Sequence, residues 1–343
     1  MSDQVKVLVT GAGGFIGHHL VNFLKHEGYW VRGVDLKEPE FHATRADEFE
    51  LLDLRRWDNC LEATRGVDEV YALAADMGGM GFISSHHAQI LHNNALINLH
   101  TLEAARVQGV KRYLYTSSAC IYPEYKQLVT EVTPLKEEDA YPAQPQDAYG
   151  WEKLVTERLC THYREDYGME TRIVRFHNIF GPLGTWQGGR EKAPAALCRK
   201  IALAKLAGSP EIEIWGDGEQ TRSFCYIDDC AAGLYKLMRS DYCKPLNLGQ
   251  DRMVSINQLA DIIADIANVP IVKKHVHGPQ GVRGRNSDNT RLNEVLGWAP
   301  EISLEEGLQR TYAWIEARVI RNYGKPPQRL LETEVAALLG HAV

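Results

Sequence analysis

Val5-Lys6-Val7-Leu8-Val9-Thr10-Gly11-Ala12-Gly13-Gly14-Phe15-Ile16-Gly17 sets an apolar, strand-like run directly before a turn with glycines at 11, 14 and 17. Glycines there leave a tight turn without Cβ atoms, so backbone N–H groups at the positive end of the following helix lie open to an anion. Outward from this stretch, apolar runs recur at residues 5–10, 30–35, 69–74, 112–117 and 171–176. Segments 18–26, 88–108 and 149–167 between them are long enough for crossover helices. Strands alternating with helices predict an α/β fold with a doubly wound parallel sheet over residues 1–176. Beyond that point Gly181-Pro182, Gly188-Gly189 and Gly216-Asp217-Gly218 mark turns, and a smaller α/β domain is expected over 177–320, with about 220–250 open to weaving back into the first. The remaining segment, 321–343, carries Lys325-Pro326-Pro327 and an apolar run at 330–339, read as a terminal helix without an assigned role.

The chain has 343 residues, 44% hydrophobic and 24% charged, which is ordinary globular composition. A net charge of -7 supplies no global field for polyanions, so nucleic acid is not expected as a partner. Seven cysteines without a CxxC pair fit reduced thiols and no metal site, and the histidine pairs His18-His19 and His86-His87 lack metal-ligand spacing. No apolar run nears the roughly 20 residues that cross a bilayer, and Met1-Ser2-Asp3 leads straight into the first strand without a leader pattern. A cytoplasmic protein is the expectation.

The glycine turn after the first strand fits the pyrophosphate of a dinucleotide at Gly11, Gly14, Phe15, Ile16 and Gly17, the arrangement of a Rossmann domain. Asp35 ends the second strand-like run 18 residues after Gly17, where a carboxylate accepts from ribose hydroxyls and repels a 2′-phosphate. NAD is therefore favoured over NADP. Asp53, with Leu73-Ala74-Ala75, is placed near the adenine and pyrophosphate.

Tyr149 and Lys153 stand four residues apart, on one face of a helix. A nearby ammonium favours the phenolate, so such a tyrosine can take the proton of a sugar hydroxyl. Surface helices carry this pair by chance, and context decides: Tyr113-Leu114-Tyr115-Thr116-Ser117-Ser118 runs to the carboxyl edge of the expected sheet, where Ser118 would share the substrate hydroxyl.

With the glycine turn, Asp35, Ser118 and the Tyr149/Lys153 pair, the chain resembles the extended short-chain dehydrogenase/reductase family over roughly residues 5–315. Five strings resemble the GDP-mannose 3,5-epimerases within it. They are Ala75-Asp76-Met77-Gly78-Gly79-Met80-Gly81, Ser117-Ser118-Ala119-Cys120-Ile121-Tyr122-Pro123, Gly184-Thr185-Trp186-Gln187-Gly188-Gly189-Arg190-Glu191-Lys192-Ala193-Pro194, Trp215-Gly216-Asp217-Gly218-Glu219-Gln220-Thr221-Arg222-Ser223-Phe224 and Gly281-Val282-Arg283-Gly284-Arg285-Asn286-Ser287-Asp288-Asn289. The resemblance implies Cys120 and Lys192 as the epimerising acid/base pair. It implies contacts to GDP-mannose from Gly78, Ser118, Ala119, Cys120, Asn178, Glu191, Lys192, Ala193, Lys200, Gln220, Thr221, Arg222 and Arg285. It also implies conversion to GDP-L-galactose, GDP-L-gulose as a single-inversion product, and a homodimer built on a helix pair. Taken alone, Cys120 reads as a small core hydrophobe, Lys192 as a solvated cation, and Lys200 as one of several cations exposed by a helix over 195–207. The rival readings are another nucleotide-sugar C4-epimerase, a 4,6-dehydratase, and a non-catalytic NAD-binding sensor. Ala119-Cys120 stands where a dehydratase carries an Asp-Glu pair, and the Tyr149/Lys153 pair argues against a sensor.

Overall fold

The computed structural model describes residues 4–324. Seven parallel strands form the main sheet: β1 (Lys6–Thr10), β2 (Trp30–Asp35), β3 (Glu48–Leu51), β4 (Glu69–Ala72), β5 (Arg112–Ser118), β6 (Glu170–Phe176) and β11 (Pro245–Leu248), in the order β11-β6-β5-β4-β1-β2-β3. The order reverses between β1 and β4, so the crevice for a ligand opens at the carboxyl ends of those strands. Strand periodicity splits the side chains between two faces. Val7 and Val9 join the core with α1 (Phe15–His26) and α7 (Ile227–Arg239), whereas Leu8 joins the core with α2 (Trp57–Thr64), α4 (His87–Val107) and α5 (Ala148–Tyr167).

The five strand-like runs and three crossover helices expected from sequence are all present, with no end displaced by more than three residues. Two strands of this main sheet carry no such signal. Glu48-Phe49-Glu50-Leu51 is half charged, as an edge strand tolerates, and Pro245-Leu246-Asn247-Leu248 is too short to show a period.

The rest of the chain forms small sheets. β7 (Ile179–Phe180) pairs with β10 (Cys225–Tyr226), β8 (Glu211–Trp215) with β13 (Val272–Val276), and β9 (Thr221–Ser223) lies between β12 (Met253–Ser255) and β14 (Gly284–Arg285). α6 (Ala193–Ala207), α8 (Ile256–Ala267) and α10 (Leu304–Tyr323) pack on one another, while α3 (Met80–Ile83) and α9 (Thr290–Leu296) are short. One apolar core runs from Val7, Val9 and Leu114 of the sheet through Ile201 of α6 and Ile263 of α8 to Ile315 of α10, so the two parts are fused by burial. Arg321 lies inside α10, which carries on to Tyr323, and the apolar run at 330–339 lies outside the described residues. Among the described residues no helix is long and apolar enough to cross a membrane.

Candidate active site

A cavity of about 270 Å³ lies where the carboxyl end of β5 and the first turn of α5 meet α6, β8 and the segment after β13. Of the residues singled out from sequence, Ile16, Gly78, Ser118, Ala119, Cys120, Tyr149, Asn178, Glu191, Lys192, Ala193, Lys200, Gln220, Arg222 and Arg285 line it. Thr221 does not: its hydroxyl donates to the Thr130 carbonyl at 2.5 Å, and what Thr221 contributes is the strand that carries Arg222. Lys153 sits behind the lining, fully buried.

Local structure sets the proton-transfer groups. Ser118 ends β5 and caps a single 3-10 turn, its Oγ accepting from the Cys120 N–H at 3.1 Å, which leaves its hydroxyl hydrogen to point toward Tyr149 or a ligand oxygen. Asp147 caps α5 by accepting from Gly150 N–H at 2.8 Å, a contact worth about 1 kcal/mol to a helix start. Gly150 is obligatory for space, since a Cβ there would fall 2.2 Å from the Cys120 carbonyl oxygen. The missing side chain lets the first turn of α5, with Tyr149, lie directly on the turn that holds Cys120.

Lys153 Nζ donates to the Thr116 carbonyl at 2.9 Å and stands 5.6 Å from the centre of the Tyr149 ring. Burial pushes the phenol well above its ordinary value, Cys120 and the carboxylates of Glu152 and Asp147 add to this, and the Ser118 hydroxyl opposes it. Burial likewise lowers Lys153. In the protein alone, burial thus outweighs the contacts that favour the phenolate.

Four cations line the cavity wall. Arg285 donates to Cys120 Sγ at 3.3 Å, and its Nε is fixed on Gln127 Oε1 at 2.6 Å. Arg222 donates to the carbonyls of Thr221 and Val282, both at 2.7 Å, and burial with the neighbouring Arg285 pushes its pKa down to about 9. Lys200, expected as exposed, is buried and donates to the Glu213 carbonyl at 2.8 Å, because α6 packs on several sides at once. Lys192 lines the cavity and is exposed, while the protein packed around it lowers its pKa, opposed by Cys120 and Cys230. The lining carboxylate of Glu191 is already committed to Arg199 at 2.9 Å and to Gly189 N–H at 2.7 Å. Clustered cations without matching anions are costly to bury, and an anionic ligand relieves them.

At the other end, the glycine turn has the shape a dinucleotide requires. Gly11 has φ +71°, a Cβ on Gly13 would fall 2.0 Å from the Lys37 carbonyl oxygen, and one on Gly17 would fall 2.1 Å from that of Gly11. Gly14 caps α1 with no side chain, leaving the first N–H groups of that helix for phosphate oxygens. Asp35 accepts from Gly13 N–H at 3.0 Å and from Leu36 N–H at 2.6 Å, which fixes its carboxylate beside the turn. Asp53 is held by Arg55 at 2.7 Å. These residues fit NAD. Among the described residues no cluster of three or more His, Cys, Asp or Glu is arranged to hold a metal ion.

The sequence profile of the NAD dependent epimerase/dehydratase family matches residues 7–249. The chain belongs to this family. Its relatives include GDP-mannose 3,5-epimerase of Arabidopsis thaliana, 54% identical over 327 residues that cover 94% of this chain and 85% of the relative. Among solved structures, the UDP-glucose 4-epimerase of Thermotoga maritima with UDP-glucose superposes with a TM-score of 0.82 at 28% identity, covering 92% of this chain and 100% of the other. The UDP-glucuronic acid 4-epimerase of Bacillus cereus, in complex with UDP-glucuronic acid and NAD, superposes with a TM-score of 0.77 at 25% identity, covering 92% and 100%.

Residues that surround the site in this epimerase/dehydratase chain and escaped the sequence reading act through others. Gln127 is fully buried, donates to the carbonyls of Tyr122 and Pro123 at 3.0 and 3.1 Å, and aims Arg285 at Cys120. Arg199 holds Glu191. Gln127 has no local signature because Arg285 lies 158 positions away, and Arg199, although Glu191 is only eight residues before it, reads from sequence as one more cation on α6.

Proposed function

We propose that the chain is a GDP-mannose 3,5-epimerase, converting GDP-D-mannose to GDP-L-galactose with GDP-L-gulose as the product of a single inversion. The observation that carries this reading is that three proton-transfer groups, Tyr149, Cys120 and Lys192, line one cation-rich cavity. The name of the 54% identical relative supports it.

The glycine turn and Asp35 would hold NAD, which would supply a reversible hydride acceptor for C4 and so allow a transient C4 ketone. Tyr149, as the phenolate that the Lys153 ammonium behind it favours, accepts the C4 hydroxyl proton and later returns it, with Ser118 holding the same oxygen. The carbonyl acidifies the hydrogens on C3 and C5, because each carbanion is delocalised as an enolate. Cys120 and Lys192, on opposite faces of the ring, remove a proton from one side and deliver one from the other. A lysine whose pKa is lowered by burial is suited to exchange near neutral pH. Arg222, Lys200 and Arg285 hold the diphosphate and sugar, with Arg285 also fixing the Cys120 sulfur. On this reading residues 1–176 with β11 form the NAD domain, and 177–320 supply most of the nucleotide-sugar contacts.

Incubation of the purified protein with GDP-D-mannose in deuterated water tests the reading. Deuterium at both C3 and C5 with new L-configured sugars, read by NMR, is the expected result; NAD-loaded protein that leaves both carbons protonated would sink it.

The protein acts as a homodimer on the same reading. Leu91 and Leu99 of α4, 44% and 46% exposed, and Trp151 and Val155 of α5, 43% and 64% exposed, form a stripe on two helices that pack together. A second copy covers such a stripe by presenting the same one. Light scattering is expected to give twice the chain mass for the wild type and a lighter species for Val155→Glu, and a monomeric wild type would refute the dimer.

A further inference from the structure

We propose that Arg190 is a positioning residue that latches the loop carrying Lys192 to segment 76–86, and so sets where the Lys192 amine stands; this rests on reading Lys192 as a proton-transfer group. Lys192 precedes the first turn of α6, at the end of an irregular stretch with no regular structure of its own to aim it. Two grips hold that stretch. On the α6 side, Glu191 accepts from Arg199 at 2.9 Å and from Gly189 N–H at 2.7 Å, and Arg199 Nε donates to the Trp186 carbonyl at 3.1 Å.

The second grip is Arg190. Its guanidinium stands 3.8 Å from the centre of the Phe82 ring, which is stacked on His86 at 4.4 Å with 22° between planes. One of its nitrogens is 3.6 Å from Asp76, and its carbonyl accepts from Gly79 N–H at 3.1 Å. The two segments touch: a Cβ on Gly79 would fall 2.6 Å from the Glu191 carbonyl oxygen. Asp76 is in turn anchored to α4, accepting from Gln89 and Asn93, each at 2.9 Å, while its own N–H donates to Asn94 at 2.6 Å. Lys192 is thus held from α6 through Glu191 and from α4 through Arg190.

The two grips differ in strength. Arg199 and Glu191 form a buried pair, whereas the Arg190 side chain is half exposed, and both a cation–π contact and an ion pair are weak there. Segment 76–86 and the 184–192 stretch both line the cavity, through Gly78 and Gly79 on one and Gly189 and Glu191 on the other. A weak latch between them opens for a bulky nucleotide sugar and re-forms behind it, which makes Lys192 correctly placed only when the latch is shut.

Amide hydrogen exchange by mass spectrometry, run beside kcat and KM for isotope exchange from GDP-D-mannose, tests this on the NAD-loaded full chain. Arg190→Ala is expected to speed amide exchange in 76–86 and 184–192 together and to lower kcat by roughly 10- to 100-fold, as small misplacements of a reacting group do. Arg190→Lys, which keeps a cation over the ring, should restore part of both; Phe82→Leu, which keeps apolar bulk and removes the ring face, should reproduce the loss. The latch is overturned by an Arg190→Ala protein that loosens both segments at full kcat, or that loses kcat with both segments as protected as before. If the wild type exchanges nothing from GDP-D-mannose, the epimerase reading fails, and the amide exchange still decides whether Arg190 joins the two segments.

Discussion

Tyr149→Phe is expected to abolish deuterium incorporation at C3 and C5 together, with kcat reduced by about 10²- to 10⁴-fold, the range for loss of a general acid/base. The two carbons fall together because neither hydrogen is acidic until C4 is a ketone, and the phenol oxygen is what the variant loses. The ring itself packs with Phe82, Ile83 and Ile90, and phenylalanine keeps those contacts. Cys120→Ala and Lys192→Met are distinct controls, since they leave the C4 proton transfer intact and impair inversion. NMR in deuterated water separates the classes, and a Tyr149→Phe protein that exchanges both carbons at the wild-type rate would remove Tyr149 from the mechanism.

Glu157→Ala should cost about 3–5 kcal/mol of stability, the penalty for stranding a buried charge. Arg175 is fully buried; its Nε and Nη2 lie 2.9 and 2.7 Å from the Glu157 carboxylate, and its Nη1 donates to the Glu137 carbonyl at 2.7 Å and to Tyr122 at 3.2 Å. Ser117 donates to the same carboxylate at 2.5 Å, so the network grips β5 one residue before Ser118. Removing Glu157 leaves the guanidinium without an anion, whereas replacing Glu157 and Arg175 together by methionine removes both charges and should cost much less. Urea unfolding of the single and double variants measures the difference. Equal losses would show that the pair contributes packing and nothing electrostatic.

What was legible in the sequence is what depends on neighbours in the chain. The glycines at 11, 14 and 17 fix a turn and a helix start within seven residues, and Tyr149 with Lys153 needs only one helical turn to share a face. Lys200 misled because α6 is apolar on several faces, so a charged residue within it does not mark the solvent side. β11 was invisible for a different reason: four residues cannot show a period, and its place beside β6 is decided by pairing with a strand about 70 residues earlier. The aim of Arg285 rests on Gln127, 158 positions away, a relation that no local pattern encodes.

β11 has a consequence for how the protein is made. Its Asn247 accepts from Tyr122 at 2.6 Å and donates to the Leu135 carbonyl at 2.8 Å, and further on Ser287 pairs with Leu135 while Arg285 reaches Cys120. The turn that bears Cys120 is thus braced by chain that leaves the ribosome more than a hundred residues after it. A nascent chain that stops after the sixth strand has an open sheet edge and an unbraced thiol, and closing the sheet with β11 still leaves Arg285 to be made before the Cys120 turn is fully held.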